Sequence, residues 1–256
     1  MGGMDVIRWP VPGESDAHWQ ARAFGQCLAD LEVDVRAAPP QVTTAILREC
    51  LSQEASAFNE QTIWDWTVNR RLQALLAVTI ATRGARWIHT AICGHTDCSA
   101  AMDLPLSLWD FQRRQDPLTV SCILDDGHKL TVTVPRGRDQ LSWLQQGSSD
   151  ITSMLASLLP ANESVSAAIA AIVDAALTEA DPLTTLTLYT VCPECGGDNQ
   201  LPLDLEALCL GLLAQEGSRL LDQIHQLALA YHWSEAEILA IPPARRREYL
   251  ARLEEA

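Results

Sequence analysis

The sequence has no run of about 18 apolar residues, the length a membrane-crossing helix needs, and its amino terminus lacks a charged-then-apolar leader pattern. A cytoplasmic chain with no membrane contact is therefore expected. Positive charge is also scarce: 18 Lys and Arg stand against 33 Asp and Glu, a formal net charge of −15. Nucleic acid is not expected as a partner, because phosphate contacts need a cationic surface. Catalytic signatures are missing too. There is no glycine-rich phosphate loop, no Gly-x-Ser-x-Gly elbow, no His-Glu-x-x-His, and no His-x-Glu of the kind zinc deaminases use. His18, His89, His128, His225 and His232 are isolated, so no enzyme is expected.

What is present is a globular composition. The chain has 256 residues, 48% hydrophobic and 20% charged, enough to bury a sizeable core. It carries eight cysteines, too many to ignore and, for a cytosolic chain, unsuited to a disulfide framework. Cys27, Cys50, Cys122 and Cys209 are scattered singly among apolar residues and read as small buried hydrophobes. The other four form two knuckles. Cys93-Gly94-His95-Thr96-Asp97-Cys98 leads to Leu104-Pro105-Leu106, and Cys192-Pro193-Glu194-Cys195 leads to Leu201-Pro202-Leu203. Cys98 and Cys195 are 97 positions apart, and so are the two Leu-Pro-Leu segments. Two thiols from each knuckle make the four-ligand shell of a structural zinc ion, with no open coordination position.

The second knuckle also permits a thioredoxin-like redox pair, which normally needs its first cysteine at a helix N-terminus; here a strand precedes it. In the first knuckle the same 97-residue offset sets His95 against Cys192, so His95 is an alternative to Cys93 as the fourth ligand. Strand context favours Cys93, which follows Ala91-Ile92 as Cys192 follows Thr190-Val191.

Periodicity and punctuation predict an α+β, mostly helical fold: a small central β-rich zinc-knuckle region flanked by helices, with a C-terminal helical segment. Residues 1–60 read as an N-terminal arm and helix, with Trp9 and Trp19 partly packed and a helix over about 41–53. Residues 61–215 hold a helix over about 66–83, a strand from Arg86 to Ile92, and a hairpin of Leu118–Leu124 and Leu130–Val134 around Asp126-Gly127. A short helix from Asp139 to Gln145, a helix from Glu163 to Glu179 and a strand from Thr184 to Val191 follow. Residues 216–256 read as helical, with Ser234 and Glu237 forming a capping box and Pro243 opening the last helix. In that helix Arg245, Arg246 and Arg247 are either a partner contact or a solvated face.

One resemblance is carried by specific phrases. Asp181-Pro182-Leu183, Val191-Cys192-Pro193-Glu194-Cys195-Gly196 and Leu203-Asp204-Leu205 are followed by Arg219-Leu220-Leu221-x-x-Ile224-His225-x-Leu227-Ala228. Then comes Tyr231-His232-Trp233-Ser234-Glu235-Ala236-Glu237-Ile238-Leu239-Ala240-Ile241-Pro242-Pro243-x-Arg245-Arg246-x-x-Tyr249-Leu250. Together with Asp126-Gly127, Val134-Pro135-Arg136-Gly137-Arg138-Asp139 and the helix from Asn69 to Ile80, this resembles the T-even-phage-type baseplate hub assembly chaperones. Relatives of those proteins are encoded in contractile-tail and extracellular contractile injection clusters. The resemblance covers roughly residues 60–253. It implies a role in assembling a baseplate or tail, with a baseplate or tail protein as partner. It also implies a structural Zn²⁺ on Cys192 and Cys195 with Cys93 and Cys98. Trp233, Tyr249 and the arginine run are the expected partner surface. The first knuckle departs from the pattern, having four residues between its cysteines where two are expected.

Overall fold

The computed structural model describes residues 6–53, 56–124, 126–148, 150–160 and 165–254. The fold is α+β and mostly helical, about 49% helix against 20% strand, and its strands form small separate sheets. Among the described residues no helix is long and apolar enough to cross a membrane.

The N-terminal segment is a wall of the main core, not a partly packed arm. β1 (Ile7–Pro10) pairs antiparallel with β2 (His18–Ala21) and sets Trp9 opposite Trp19. Both indoles are 0% exposed. Trp9 stacks on Trp109 at 4.9 Å and Trp19 on Trp66 at 5.2 Å between ring centroids, so the hairpin is anchored by partners far along the chain. α1 (Leu28–Leu31) is fixed by an ion pair in which Arg22 donates to Asp30 at 2.7 Å. α2 (Pro39–Cys50) stops short of the expected residue 53, because Leu51–Gln53 leaves the helix as β3 and pairs with β2. β4 (Ser56–Ala57) completes this four-stranded sheet.

After α3 (Glu60–Asp65), the Thr67 side chain accepts from the Arg70 amide and caps α4 (Val68–Arg83). Gly84, at φ +79°, ends it where the sequence predicts a stop. α4 carries buried residues on every face, with α2, β1 and β2 packed around it. It is a core helix and not the one-sided amphipathic helix its leucines suggest. β5 (Arg86–Ile92) then forms a hairpin with β6 (Ala101–Ser107), and a 3₁₀ turn at Leu108–Phe111 brings the chain back. There Gln73 on α4 donates to the Phe111 carbonyl and accepts from the Arg113 amide, both at 2.8 Å.

β7 (Thr119–Ile123) and β8 (Lys129–Thr133) are the hairpin expected around Asp126-Gly127, with Gly127 at φ +82°. The segment after it docks onto the start of α4: Val68 N donates to Pro135 O at 2.9 Å, and Gly137 N to Trp66 O at 3.0 Å. A Cβ at Gly137 would lie 2.7 Å from the Arg71 guanidinium, which explains the glycine in Val-Pro-Arg-Gly. α5 (Gly137–Gln146), α6 (Ile151–Ala156) and α7 (Ala167–Ala180) follow. The expected start of α7 at Glu163 lies outside the described residues. These helices and the β7–β8 hairpin enclose a second, smaller core around Val132, Leu155 and Val173.

β9 (Thr187–Val191) starts later than expected, since the Thr184 hydroxyl turns back to donate to Asp181 O at 2.9 Å. It pairs with β10 (Asp198–Pro202). α8 (Leu205–Tyr231), about 40 Å long at 1.5 Å per residue, covers α4 with Cys209 and Leu213. α9 (Glu235–Ala240) begins at the expected Ser234–Glu237 capping box, and α10 (Pro243–Glu254) folds back onto α8.

The Arg22–Asp30 pair gives a stability test. Burial alone would raise the Asp30 pKa, but the Arg22 guanidinium and the Gln26 and Cys27 amides hold it below the usual carboxylate value. Asp30→Ala is expected to cost about 3 kcal/mol in urea unfolding at neutral pH, as for a broken buried pair. A depressed folded pKa contributes stability in full above the unfolded value of about 3.9 and loses it as pH falls through the folded value. The gap between variant and parent should therefore close in acid. A gap that stays constant there would refute the assignment.

Candidate metal centre

The two knuckles are the tips of two hairpins. β5–β6 closes through Cys93 N donating to Ala100 O at 2.9 Å, and β9–β10 through Cys192 N donating to Gly197 O at 2.9 Å. The tips meet, and the four thiols of Cys93, Cys98, Cys192 and Cys195 lie within 4.8 Å of one another. Cys93 Sγ is 3.8 Å from Cys195 Sγ, and Cys98 Sγ is 3.7 Å from Cys192 Sγ. A tetrahedron with metal–sulfur arms of about 2.3 Å has edges of about 3.8 Å, so both cross-hairpin distances fit one shared ion. A disulfide would need about 2.05 Å.

The backbone supports the sulfurs. The Cys195 amide, opposed by desolvation and aided by the Glu194 amide, brings the Cys192 thiol down to about 7. At Cys98 the Ala100 amide pulls down, but desolvation and the three neighbouring thiols push the group up to about 12. At Cys195 the Gly197 amide pulls down, while desolvation and the Cys192 and Cys93 thiols leave it raised. Four crowded thiols cannot all ionise without a cation between them, and that is the electrostatic signature of a ligand set. By contrast Cys209 is a bland buried thiol, pushed up to about 12 by desolvation.

The 97-residue offset reflects half of each tip. Ser99 after Cys98 and Gly196 after Cys195 both sit in the left-handed region, at φ 51° and 71°. Ala100 and Gly197 then supply matching amides to the second sulfur of each pair. The first cysteines do not obey the offset. Cys93, not His95, stands at the end of its strand in the place Cys192 takes, and the two extra residues loop outward. His95 lies outside the sulfur cluster and serves as a clip: its Nε2 donates to Asp198 O at 3.1 Å. A Cβ at Gly197 would lie 2.4 Å from that nitrogen.

One residue of the centre escapes sequence reading altogether. Asn199, 5% exposed, accepts from Gly94 N at 2.8 Å and donates from Nδ2 to Gly197 O at 2.9 Å. The same Nδ2 lies 3.7 Å from Cys93 Sγ, so one amide ties both hairpins to the metal-facing sulfur. Its place just after Cys-Gly-Gly-Asp is the only signal the sequence offers.

The remaining candidates lie at the far end of α8. Tyr231, Trp233 and Tyr249 form one aromatic cluster, with Tyr231 stacked on Trp233 at 4.6 Å and Tyr249 edge-on to Trp233 at 5.1 Å. Arg245 and Arg247 are exposed beside it. Arg246 is not: it is 1% exposed and donates to the Gln26 carbonyl at 3.1 Å, because its place on α10 faces the main body. It therefore leaves the expected partner surface.

No family model matches the chain, and no characterised protein or solved structure matches it.

These roles separate cleanly by mutation. Cys93→Ser and Cys192→Ser should each abolish stoichiometric metal in elemental analysis and lower the melting temperature, whereas His95→Ala should keep one ion per chain. Asn199→Ala should weaken metal affinity about 10- to 100-fold in chelator competition, the usual cost of losing a ligand's support. Metal loss in His95→Ala with retention in Cys93→Ser would reverse the assignment.

Proposed function

We propose that the chain is a non-enzymatic, zinc-stapled adaptor or chaperone that helps assemble the baseplate of a contractile phage tail or injection system. The observation that carries the structural half is the closed four-thiol cluster built from two hairpins. Soft sulfur ligands in tetrahedral array favour zinc or an iron–sulfur cluster, and a single-ion spacing favours zinc. Four protein ligands leave no position for water or substrate, so the ion contributes folding free energy, on the order of 10 kcal/mol in small zinc domains.

The assembly half rests on the resemblance over residues 60–253 and on the character of the C-terminal helices. Trp233 and Tyr249 sit half-buried beside exposed Arg245 and Arg247, and Leu221 and Leu229 are exposed on α8. Aromatic and arginine side chains are the types that dominate protein interfaces. On a chain of charge −15, this end of the molecule is where an acidic or apolar partner surface is best received.

The test uses the cells that produce the particle. Without this chain, sheath and tube proteins should accumulate while electron microscopy finds no complete baseplates. A chain carrying Arg245→Glu and Arg247→Glu should fold, bind one zinc and still fail to restore them. Complete baseplates in the absence of the chain would sink the reading. Mass spectrometry of purified particles separates a chaperone, which is missing from them, from a component, which is present in fixed ratio.

A further inference from the structure

The two Leu-Pro-Leu segments take up one place in the fold that the metal centre does not explain. In β5–β6 the bonds from Cys93 N to Ala100 O and from Leu108 N to Ala85 O fix which residues bond across the hairpin. Antiparallel pairs alternate between bonded and unbonded. Trp87, His89 and Ala91 therefore turn their backbone groups toward β6, while Arg86, Ile88, Thr90 and Ile92 turn theirs outward. Pro105, paired with Ile88, is outward on β6. In β9–β10 the bonds from Cys192 N to Gly197 O and from Leu203 N to Leu186 O set the same alternation, and Pro202 is outward on β10. A proline in that place breaks no bond of its own hairpin and denies one to an incoming strand. Both returning strands thus carry an edge blunted by proline. The entering strands, β5 and β9, do not.

β5 is the longer of the two open edges, seven residues against five in β9. Its sheet has only two strands, and among the described residues no backbone bond reaches Ile88, Thr90 or Ile92 from another element. The same three residues carry exposed β-branched side chains, Ile88 at 60% and Ile92 at 59%. At the start of the edge Arg86 is exposed and, among the described residues, has no ion-pair partner.

We propose that β5 takes up an extended segment of a partner protein as an added antiparallel strand, with aliphatic side chains facing Ile88 and Ile92 and a carboxylate facing Arg86. In this mode of recognition main-chain bonds supply affinity, and the alternate side chains supply selectivity. A second copy of this chain is the poorer occupant. Joined edge to edge, two copies would share one seven-residue strand a side, where stable interfaces engage about 20–30 residues a side. β5 also has no acidic residue to set against Arg86. The edge is a different element from the α8–α10 cluster, and the proposal holds whatever particle the partner belongs to.

The probe is a capped Lys-Val-Thr-Val-Thr-Val-Thr-Glu peptide, titrated against the full chain and followed by amide hydrogen exchange in nuclear magnetic resonance. In the free chain the amides of Ile88, Thr90 and Ile92 should exchange fast and those of Trp87, His89 and Ala91 slowly; the peptide should slow the first set. Thr90→Pro copies Pro105 on the opposite edge and removes only an outward N–H from the backbone. It should weaken binding at least about tenfold, or about 1.4 kcal/mol. Ile88→Pro makes the same test without touching the Thr90–Asp103 hydrogen bond, should the first variant prove unstable. Tyr189→Pro, on the β9 edge, should leave binding unchanged. A peptide ending in Lys in place of Glu should bind about two- to fivefold more weakly, the worth of an exposed ion pair; equal binding of the two would overturn the charge match. No binding at about 5 mM, where even a millimolar site is largely filled, would overturn the proposal, as would loss in Tyr189→Pro with retention in Thr90→Pro. A chain that sediments as a dimer, and as a monomer after Thr90→Pro, would give the edge to a second copy instead.

Discussion

The buried polar side chains of α4 must find their partners inside the protein, because the helix meets almost no water from Arg71 to Ala81. Arg71 donates to the carbonyls of Ile63 and Pro40 and to the Thr44 hydroxyl, pinning α2 and α3 to one side. Burial draws the Arg71 pKa down to about 10, with Glu206 opposing, yet the guanidinium stays charged at neutral pH. Gln73 fixes the return of the chain after β6, and Asn69 holds the Gln115 carbonyl. Removing any of these leaves a buried group unpaired, at a cost of about 1–3 kcal/mol. The arrangement thus propagates outward: the tryptophan hairpin, the Pro-Arg-Gly segment and the start of the first knuckle hairpin all take their positions from one helix. The Asn69 oxygen and the Nε atoms of Arg70 and Arg71 are left over.

Local rules recover most elements that depend on local chemistry. Asp126-Gly127 marks its hairpin because only a few residues tolerate the turn's positive φ, and Ser234 with Glu237 marks a helix start for a similarly local reason. Gly84 and Pro243 do the same at the ends of α4 and α10. What the sequence leaves hidden is set by partners far along the chain. Leu51–Gln53 looks like the tail of α2 until β2 lies beside it, and Trp9 looks half-free until Trp109 covers it. Arg246 shares its sequence run with two exposed arginines, and only the fold reveals that it points toward Gln26.

The four-thiol cluster itself is legible, since paired thiols at knuckle spacing are the pattern by which two segments grip one metal. Their alignment is less so. Equal offset makes His95 look equivalent to Cys192, but the match belongs to the second half of each tip, where the left-handed residue and the sulfur-facing amide recur. The first tip reaches the same geometry with a longer loop, and His95 uses the added length to bridge to the other hairpin. Asn199 carries no motif at all, because an asparagine is marked as support for a metal ligand only by what surrounds it.

Ser99 gives this centre a direction. A serine held in the left-handed region stores strain of about 1 kcal/mol that a glycine, as at Gly196, does not. The two halves of the shell, equal in ligands, are therefore unequal in compliance. The Ser99 turn has strain to release if the longer Cys93–Cys98 loop relaxes, whereas the Cys192–Cys195 turn, with glycine at that place, has none.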